Sequence, residues 1–275
     1  MSRSLYLTYL RLARTGFVAW AIAIALYAVL IVYLYSSMGD AFPFLEYMEA
    51  MPEAMKAAIG ISGKEALEMA FPGGVYDFRA WMNTEYMSWW PLLVGVYGVV
   101  YCGGLVSREV ERGTLDLLLS QPLRRATFLL SKFSAFATLV VGIGLASFTV
   151  LAVGSLGIDV EIDYWYLALA HVVAVLFVLA IAAYSTLASC LLLDPGKSMA
   201  VSGVVTAFIY FLYILAPSLK AATWLQKGSL FYYYEPLYTL YRGTVNLAGI
   251  GVYLGVLLAS LLLSVVVFQR KDILR

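Results

Sequence analysis

The sequence predicts an all-α integral membrane protein with six transmembrane helices, and three observations carry that class. Of the 275 residues, 63% are hydrophobic and 13% charged, against about 45–50% and about 25% in soluble globular chains. The mean hydropathy is +0.86, and the apolar runs reach about 20 residues, enough to cross a hydrocarbon core about 30 Å thick as helices. Basic residues are also partitioned unevenly: twelve of the eighteen Lys and Arg fall on one side of a six-span arrangement. That side is expected to be the cytoplasm, and it holds both termini.

The elements follow in order. Residues 1–15 set Arg3, Arg11 and Arg14 among Leu5, Leu7, Tyr9, Leu10 and Leu12, the pattern of a basic amphipathic helix at the membrane interface. The first span covers 16–37. Residues 38–87 form a long outer segment carrying Glu46, Glu49, Glu53, Glu65, Glu68, Asp77 and Glu85, broken at Pro43, Pro52 and Pro72; short amphipathic helices are expected within it. The second span, 88–106, delivers the chain to Ser107–Lys132, the longest charged and turn-punctuated interruption. There Gly113 can end the entering helix, Thr114 can cap a short helix through Leu119 with Asp116 in its first turn, and Pro122 suits the start of the next. The third span is 133–154, followed by an acidic turn with Asp159, Glu161 and Asp163. The fourth, 164–192, ends at Asp194-Pro195-Gly196-Lys197, and the fifth is 198–216. Within 217–244, the run Phe231 to Leu237 is too apolar for a free loop and too short for a span with its return. Either it dips back as a re-entrant segment, making Tyr233, Tyr234, Glu235 and Pro236 a candidate outer gate, or it lies on the surface as an aromatic cap. The sixth span is 245–268, and the whole chain, 1–275, reads as one transmembrane domain without internal repeats.

Composition and spacing exclude several functions. No compact basic patch with interleaved aromatics points to nucleic acid. Cys102 and Cys190 sit inside apolar runs and lack metal-ligand spacing, so they read as small buried hydrophobes. Gly196-Lys197-Ser198 resembles the end of a phosphate-binding loop, but Leu191 stands where that loop needs a glycine. Gly142 and Gly144 lack the third glycine of a dinucleotide fingerprint. No acid, base and nucleophile converge, so the chain is not expected to be an enzyme by itself. His171, the single histidine, lies in the fourth span; helix pairing is the preferred reading over proton or metal handling. Gly95 and Gly98, and the Gly251/Gly255 pair, predict close helix packing, within one chain or between two.

With Glu109, Glu111, Gly113, Thr114, Leu115, Leu118, Leu119, Pro122, Arg125 and Lys132 at matching places, Val106 to Lys132 resembles the first cytoplasmic loop of ABC transporter permeases of the type-2 membrane-protein family. The tail Phe268-Gln269-Arg270-Lys271-Asp272 is similar to that family's Phe-x-Arg-Arg-Asp ending, with Lys for the second Arg. The resemblance implies the permease subunit of an ATP-driven exporter in the plasma membrane, paired with a second permease copy, usually as a homodimer, and with two copies of a separate ATPase. ATP and Mg would bind the ATPase, and this chain would hold no cofactor. The short helix after Gly113 becomes a cytoplasmic coupling helix, with Arg108, Glu109, Glu111, Arg112, Gly113, Thr114, Leu115, Leu118, Leu119, Pro122 and Arg125 as the candidate ATPase interface. Its leucines can fill a groove in the partner while the flanking charges fix register. The long outer segment is closer to the family's efflux-like branch. The alternatives are a secondary transporter or channel working without an ATPase, an ABC complex that transmits a mechanical signal without transport, and an intramembrane enzyme.

Overall fold

The computed structural model describes residues 3–37, 44–61, 63–72, 76–115, 124–158, 160–216 and 223–271, and among these the regular elements are all helical. Five helices are long and apolar enough to cross a membrane: α1 (Arg3–Ser37) and four later ones. At about 1.5 Å per residue α1 is roughly 50 Å long. The interfacial helix expected over 1–15 is therefore not a separate element but the first turns of this span. Gly16 alone stands at the expected break, and one helix-interior glycine costs only about 1 kcal/mol relative to Ala. Those first turns are also held: the Tyr6 hydroxyl bonds that of Thr138 at 2.9 Å, and Tyr9 meets Phe128 edge to face at 6.1 Å.

Three short helices follow, α2 (Phe44–Ala50), α3 (Glu53–Ala58) and α4 (Gly63–Ala70). The second span then begins earlier than its hydropathy indicates, at α5 (Phe78–Met82), whose N-terminus Asp77 caps by accepting the Ala80 N–H at 3.0 Å. The helix continues through a π-helical turn, Asn83–Met87, into α6 (Trp90–Gly103). Alone, the 14 residues of α6 would reach only about 20 Å, and α6 is not among the five helices long and apolar enough to cross; the preceding turns lengthen the segment expected as the second span. Polar Asn83, Thr84 and Glu85 lower the local hydropathy, which is why the sequence reading assigned them to the outer segment. The structure thus holds a short cap formed by α2–α4, with its own small core of Met48, Ile61, Ala66, Ala70, Phe71 and Ala80 closing on Leu237.

After α6 come α7 (Ser107–Glu111), α8 (Arg125–Leu156), α9 (Tyr164–Leu192), α10 (Pro195–Leu215), two 3₁₀ turns at Thr223–Gly228 and Leu230–Tyr233, α11 (Pro236–Arg242) and α12 (Leu247–Arg270). The α9–α10 corner is sharp because Leu193 adopts φ 53° and Asp194 then caps Lys197 ahead of Pro195. Helix α9 is the axis of the bundle, packed against α6, α8, α10 and α12. Its most apolar window is 56% buried, whereas those of α10 and α12 are 17% buried, so these two turn most of their apolar surface outward. Gly98 of α6 packs on Ala182 of α9, where a Cβ would stand in ordinary contact, 3.9 Å from the Ala182 Cα, so this approach does not require glycine. Gly251 and Gly255, by contrast, meet nothing within 4 Å; that stripe is not used for packing inside the described residues.

Candidate functional site

The end of the bundle where α6, α7 and α8 meet gathers buried charge. Gly113 takes φ 65°, ending the α7 helix as its sequence position predicts, and Thr114 and Leu115 are helical again. The Thr114 hydroxyl reaches back to donate to the Glu109 carboxylate and carbonyl, while the turn it is expected to cap lies outside the described residues. The other carboxylate oxygen of Glu109 accepts from Lys132 Nζ at 2.8 Å, with side chains only 15% and 8% exposed. An ammonium has three donors, and Lys132 uses a second on the Leu105 carbonyl at 2.7 Å while Tyr9 presents its ring face at 4.6 Å and Phe128 at 5.3 Å. Burial would push the Glu109 carboxyl up. The Lys132 charge and hydrogen bond, the Thr114 hydroxyl and the Arg112 charge outweigh that and hold it below the usual carboxylate range. One ion pair therefore joins α7 and the turn at Gly113 to α8, with α1 closing over it.

Two further ties fix this end. The Ser189 hydroxyl oxygen of α9 accepts the backbone N–H groups of both Val106 and Ser107 at 3.0 Å, satisfying donors at the α6–α7 junction that no helical carbonyl reaches. Arg125 Nη1 donates to the carbonyls of Phe268 at 2.9 Å and Lys271 at 2.7 Å, capping the C-terminus of α12. Lys271 Nζ in turn donates to the Leu191 carbonyl at the end of α9. The two segments that carried the family resemblance, the loop and the tail, thus meet in space through Arg125.

The predicted interface residues divide four ways. Glu111, Arg112 and Gly113 are exposed and available to a partner. Arg108, Glu109, Thr114 and Arg125 are engaged within the chain: Arg108 folds back to the Val100 carbonyl at 3.1 Å and toward Met199. Leu115, expected to face a partner groove, is 1% exposed and lies in this chain's own core. It falls on the first turn after Gly113, where the chain still lies against the bundle. Leu118, Leu119 and Pro122 lie outside the described residues. Lys132 and Ser189 are not among the interface residues that the sequence singles out; a lysine at the head of an apolar run and a serine near a span's end are the signals it offers for them.

At the opposite end the Phe231 to Leu237 run is packed into the bundle. Phe231 and Tyr234 are buried, Tyr234 donates to the Met87 carbonyl at 3.0 Å, and Tyr253 of α12 donates to the Leu230 carbonyl at 3.1 Å. Side chains thereby satisfy a backbone that is not α-helical, as a buried irregular segment requires. Pro236 is buried at the start of α11, Tyr233 donates to the Lys227 carbonyl at 3.0 Å, and Glu235 is exposed, accepting from Asn246 at 3.1 Å. In the middle of the bundle, His171 hydrogen-bonds Ser147 at 2.8 Å through Nε2 and the Leu167 carbonyl at 2.8 Å through Nδ1, and Ser147 bonds Tyr86 at 2.6 Å. That string joins the π turn, α8 and α9, the helix-pairing role expected of it. Among the described residues no group of three His, Cys, Asp or Glu is placed to hold a metal ion.

Comparison with individual curated proteins gives no significant match. A family model described as ABC-2 family transporter protein matches residues 17–273, which takes in the bundle, the charged loop and the start of the tail, and the chain belongs to that family of ABC transporter permeases.

Proposed function

We propose that this chain is the permease half of an ATP-driven exporter in the plasma membrane, and that the segment after α6 receives force from a separate ATPase subunit in the cytoplasm. Two permease copies and two ATPase copies make up the complex, both termini of this chain face the cytoplasm, and ATP with Mg binds the partner. The observation that supports this most is the buried Glu109–Lys132 pair at 2.8 Å. A loop whose only task was to connect two spans would have no need to bury an ion pair, since desolvating two charges costs several kcal/mol per ion before pairing offsets it. A loop that must push on α8 and α1 does need a stiff attachment. Exposed Glu111 and Arg112 then set the register of the partner from the rim, and Glu109, Thr114 and Lys132 carry its displacement inward.

The test is Glu111→Lys in the co-purified complex. Glu111 is exposed, so the thermal unfolding midpoint of the chain should stay within about 1 °C of wild type, as surface substitutions change stability little. Substrate-stimulated ATP hydrolysis and export should fall together. Wild-type ATPase association, hydrolysis and export in this variant would overturn the docking assignment.

A further inference from the structure

Glu85 stands in the π turn of the second span with a half-buried side chain. Its backbone carbonyl accepts from the Tyr27 hydroxyl of α1, which fixes its depth. Counted from Ser37 at the end of α1, Tyr27 lies about 15 Å inside the bundle, and counted from the Asp77 cap, Glu85 lies about 12 Å inside. Among the described residues the Glu85 carboxylate has neither a hydrogen-bond nor an ion-pair partner. A carboxylate inside a span is expensive, and such groups as a rule face a cavity, a pathway or a counter-charge; π turns also recur at functional sites.

Glu85 heads an open stripe. At about 100° per residue, Trp89, Leu93, Val96 and Val100 follow it down one side of the span, and Leu93, Val96 and Val100 are 37%, 52% and 43% exposed. Helix α9 takes the opposite side of α6, where a Cβ at Gly95 would stand 3.1 Å from Ile181 Cδ1. Helix α1 borders the stripe on one flank, with Trp20 and Tyr97 rings 5.6 Å apart, and α10 on the other, where a Cβ at Gly103 would stand 3.2 Å from the Met199 Cα. The stripe is thus the floor of a groove between α1 and α10, acidic at one end and apolar below.

Charge decides what fits it. At this depth the spans carry no Lys or Arg: α1 has none after Arg14, α6 and α9 have none, α8 has none after Lys132, α10 none after Lys197 and α12 none before Arg270. Arg79, nearer the start of α5, is held by Asp77 at 2.7 Å. Neither this chain nor a second copy laid against the groove therefore offers Glu85 a counter-charge, and a lipid tail offers none. A ligand with a positive head and an apolar body supplies both halves of the match, the head at the carboxylate and the body along the stripe.

We propose that this groove binds an amphipathic organic cation, with Glu85 as the residue that selects its charge. The exporter reading is needed only to call that ligand a substrate, so wild-type export in Glu111→Lys would overturn that reading and leave this binding standing. The test measures equilibrium binding of radiolabelled decylammonium to the full chain in phosphatidylcholine nanodiscs without ATPase, with uptake by empty nanodiscs subtracted and 1-decanol as the neutral competitor. Decylammonium should bind saturably, and decanol should not displace it. Glu85→Gln keeps the shape of the side chain and the Tyr27 bond to its backbone, and should weaken binding by about tenfold or more, since it removes the only charge facing the head. Val96→Phe, which fills the groove below an intact Glu85, should weaken it as well, while Glu68→Gln, at an exposed carboxylate of α4, leaves it unchanged. Three results would each overturn the inference. They are no saturable component, as when a second copy seals the groove; displacement by decanol at equal membrane content, the mark of an apolar crevice without charge selection; and wild-type affinity in Glu85→Gln, as when a proton keeps the carboxyl neutral.

Discussion

Replacing Glu109 with Gln removes the charge opposite Lys132 while keeping the shape of the side chain. With the two side chains only 15% and 8% exposed, the pair lies in the range where deleting one partner costs about 3–5 kcal/mol, because the other charge stays buried. Lys132 retains the Leu105 carbonyl and the Tyr9 ring face, so about 2–3 kcal/mol is the expected loss. Lys132→Met in the same background should recover part of it, giving a coupling of about 1 kcal/mol or more in the double-mutant cycle. The measurement is the thermal unfolding midpoint in nanodiscs, where Glu109→Gln should lie about 4–12 °C below wild type at about 2–4 °C per kcal/mol. The sign with pH follows from the depressed carboxyl of Glu109. A group whose folded pKa lies below its unfolded value, about 4.3 for Glu, stabilises fully above that value and loses the contribution as pH falls through the folded pKa. Wild type and Glu109→Gln should therefore differ most at pH 6–8 and converge below about pH 4. Equal midpoints at neutral pH, or strictly additive effects in the cycle, would show that the pair does not hold α7 to α8.

Three further perturbations probe the neighbouring contacts. Arg125→Lys keeps the charge but cannot span both the Phe268 and Lys271 carbonyls; with Arg125 half-buried, about 1 kcal/mol should be lost at the end of α12, read as faster amide exchange in its last turn. Ser189→Ala orphans the Val106 and Ser107 amides and should cost about 2 kcal/mol, with both amides losing exchange protection and the rest of α9 unchanged. His171→Leu breaks the string to Ser147 and Tyr86, a loss of about 0.6–1.7 kcal/mol for an interhelical hydrogen bond in a membrane. The ATPase pH profile of the complex between pH 6 and 8 should stay as in wild type, since both ring nitrogens of the histidine are engaged in hydrogen bonds within the bundle.

Hydropathy made the long helices legible because their signal is a sum over about 20 residues, and a single Gly16 or Gly142 barely changes it. It failed where length and polarity trade off. The turns from Phe78 to Met87 continue the second span, yet Asn83, Thr84 and Glu85 dilute their hydropathy, and a π turn has no composition of its own. The cap at Asp77 was the readable sign, since Asp ahead of an aromatic and apolar run marks a helix start. In the loop, Gly113 announced its positive φ, which only geometry at one residue had to confirm. Leu115 misled because an amphipathic pattern shows that a face is apolar and not which surface covers it. That depends on where Gly113 aims the chain, a tertiary outcome.

The ion pair shows why the site was harder to read than the fold. Glu109 and Lys132 are separated by a stretch that reads as loop, and each has a local explanation, a helix-flanking acid and a lysine at the entrance to a span. Nothing in either neighbourhood states that the two meet. The stronger clue was that the loop and the tail both retained family-like features although 143 residues separate Arg125 from Phe268. Contact between them makes one assembly of α8, α12 and, through Lys271, the end of α9. Force applied at Glu111 can then reach the helix that lies at the axis of the bundle by two routes, through Lys132 into α8 and through Ser189 directly into α9. If the second route dominates, Ser189→Ala will uncouple hydrolysis from export at a stability where Glu109→Gln does not, and the comparison of these two variants at matched unfolding midpoints assigns the path.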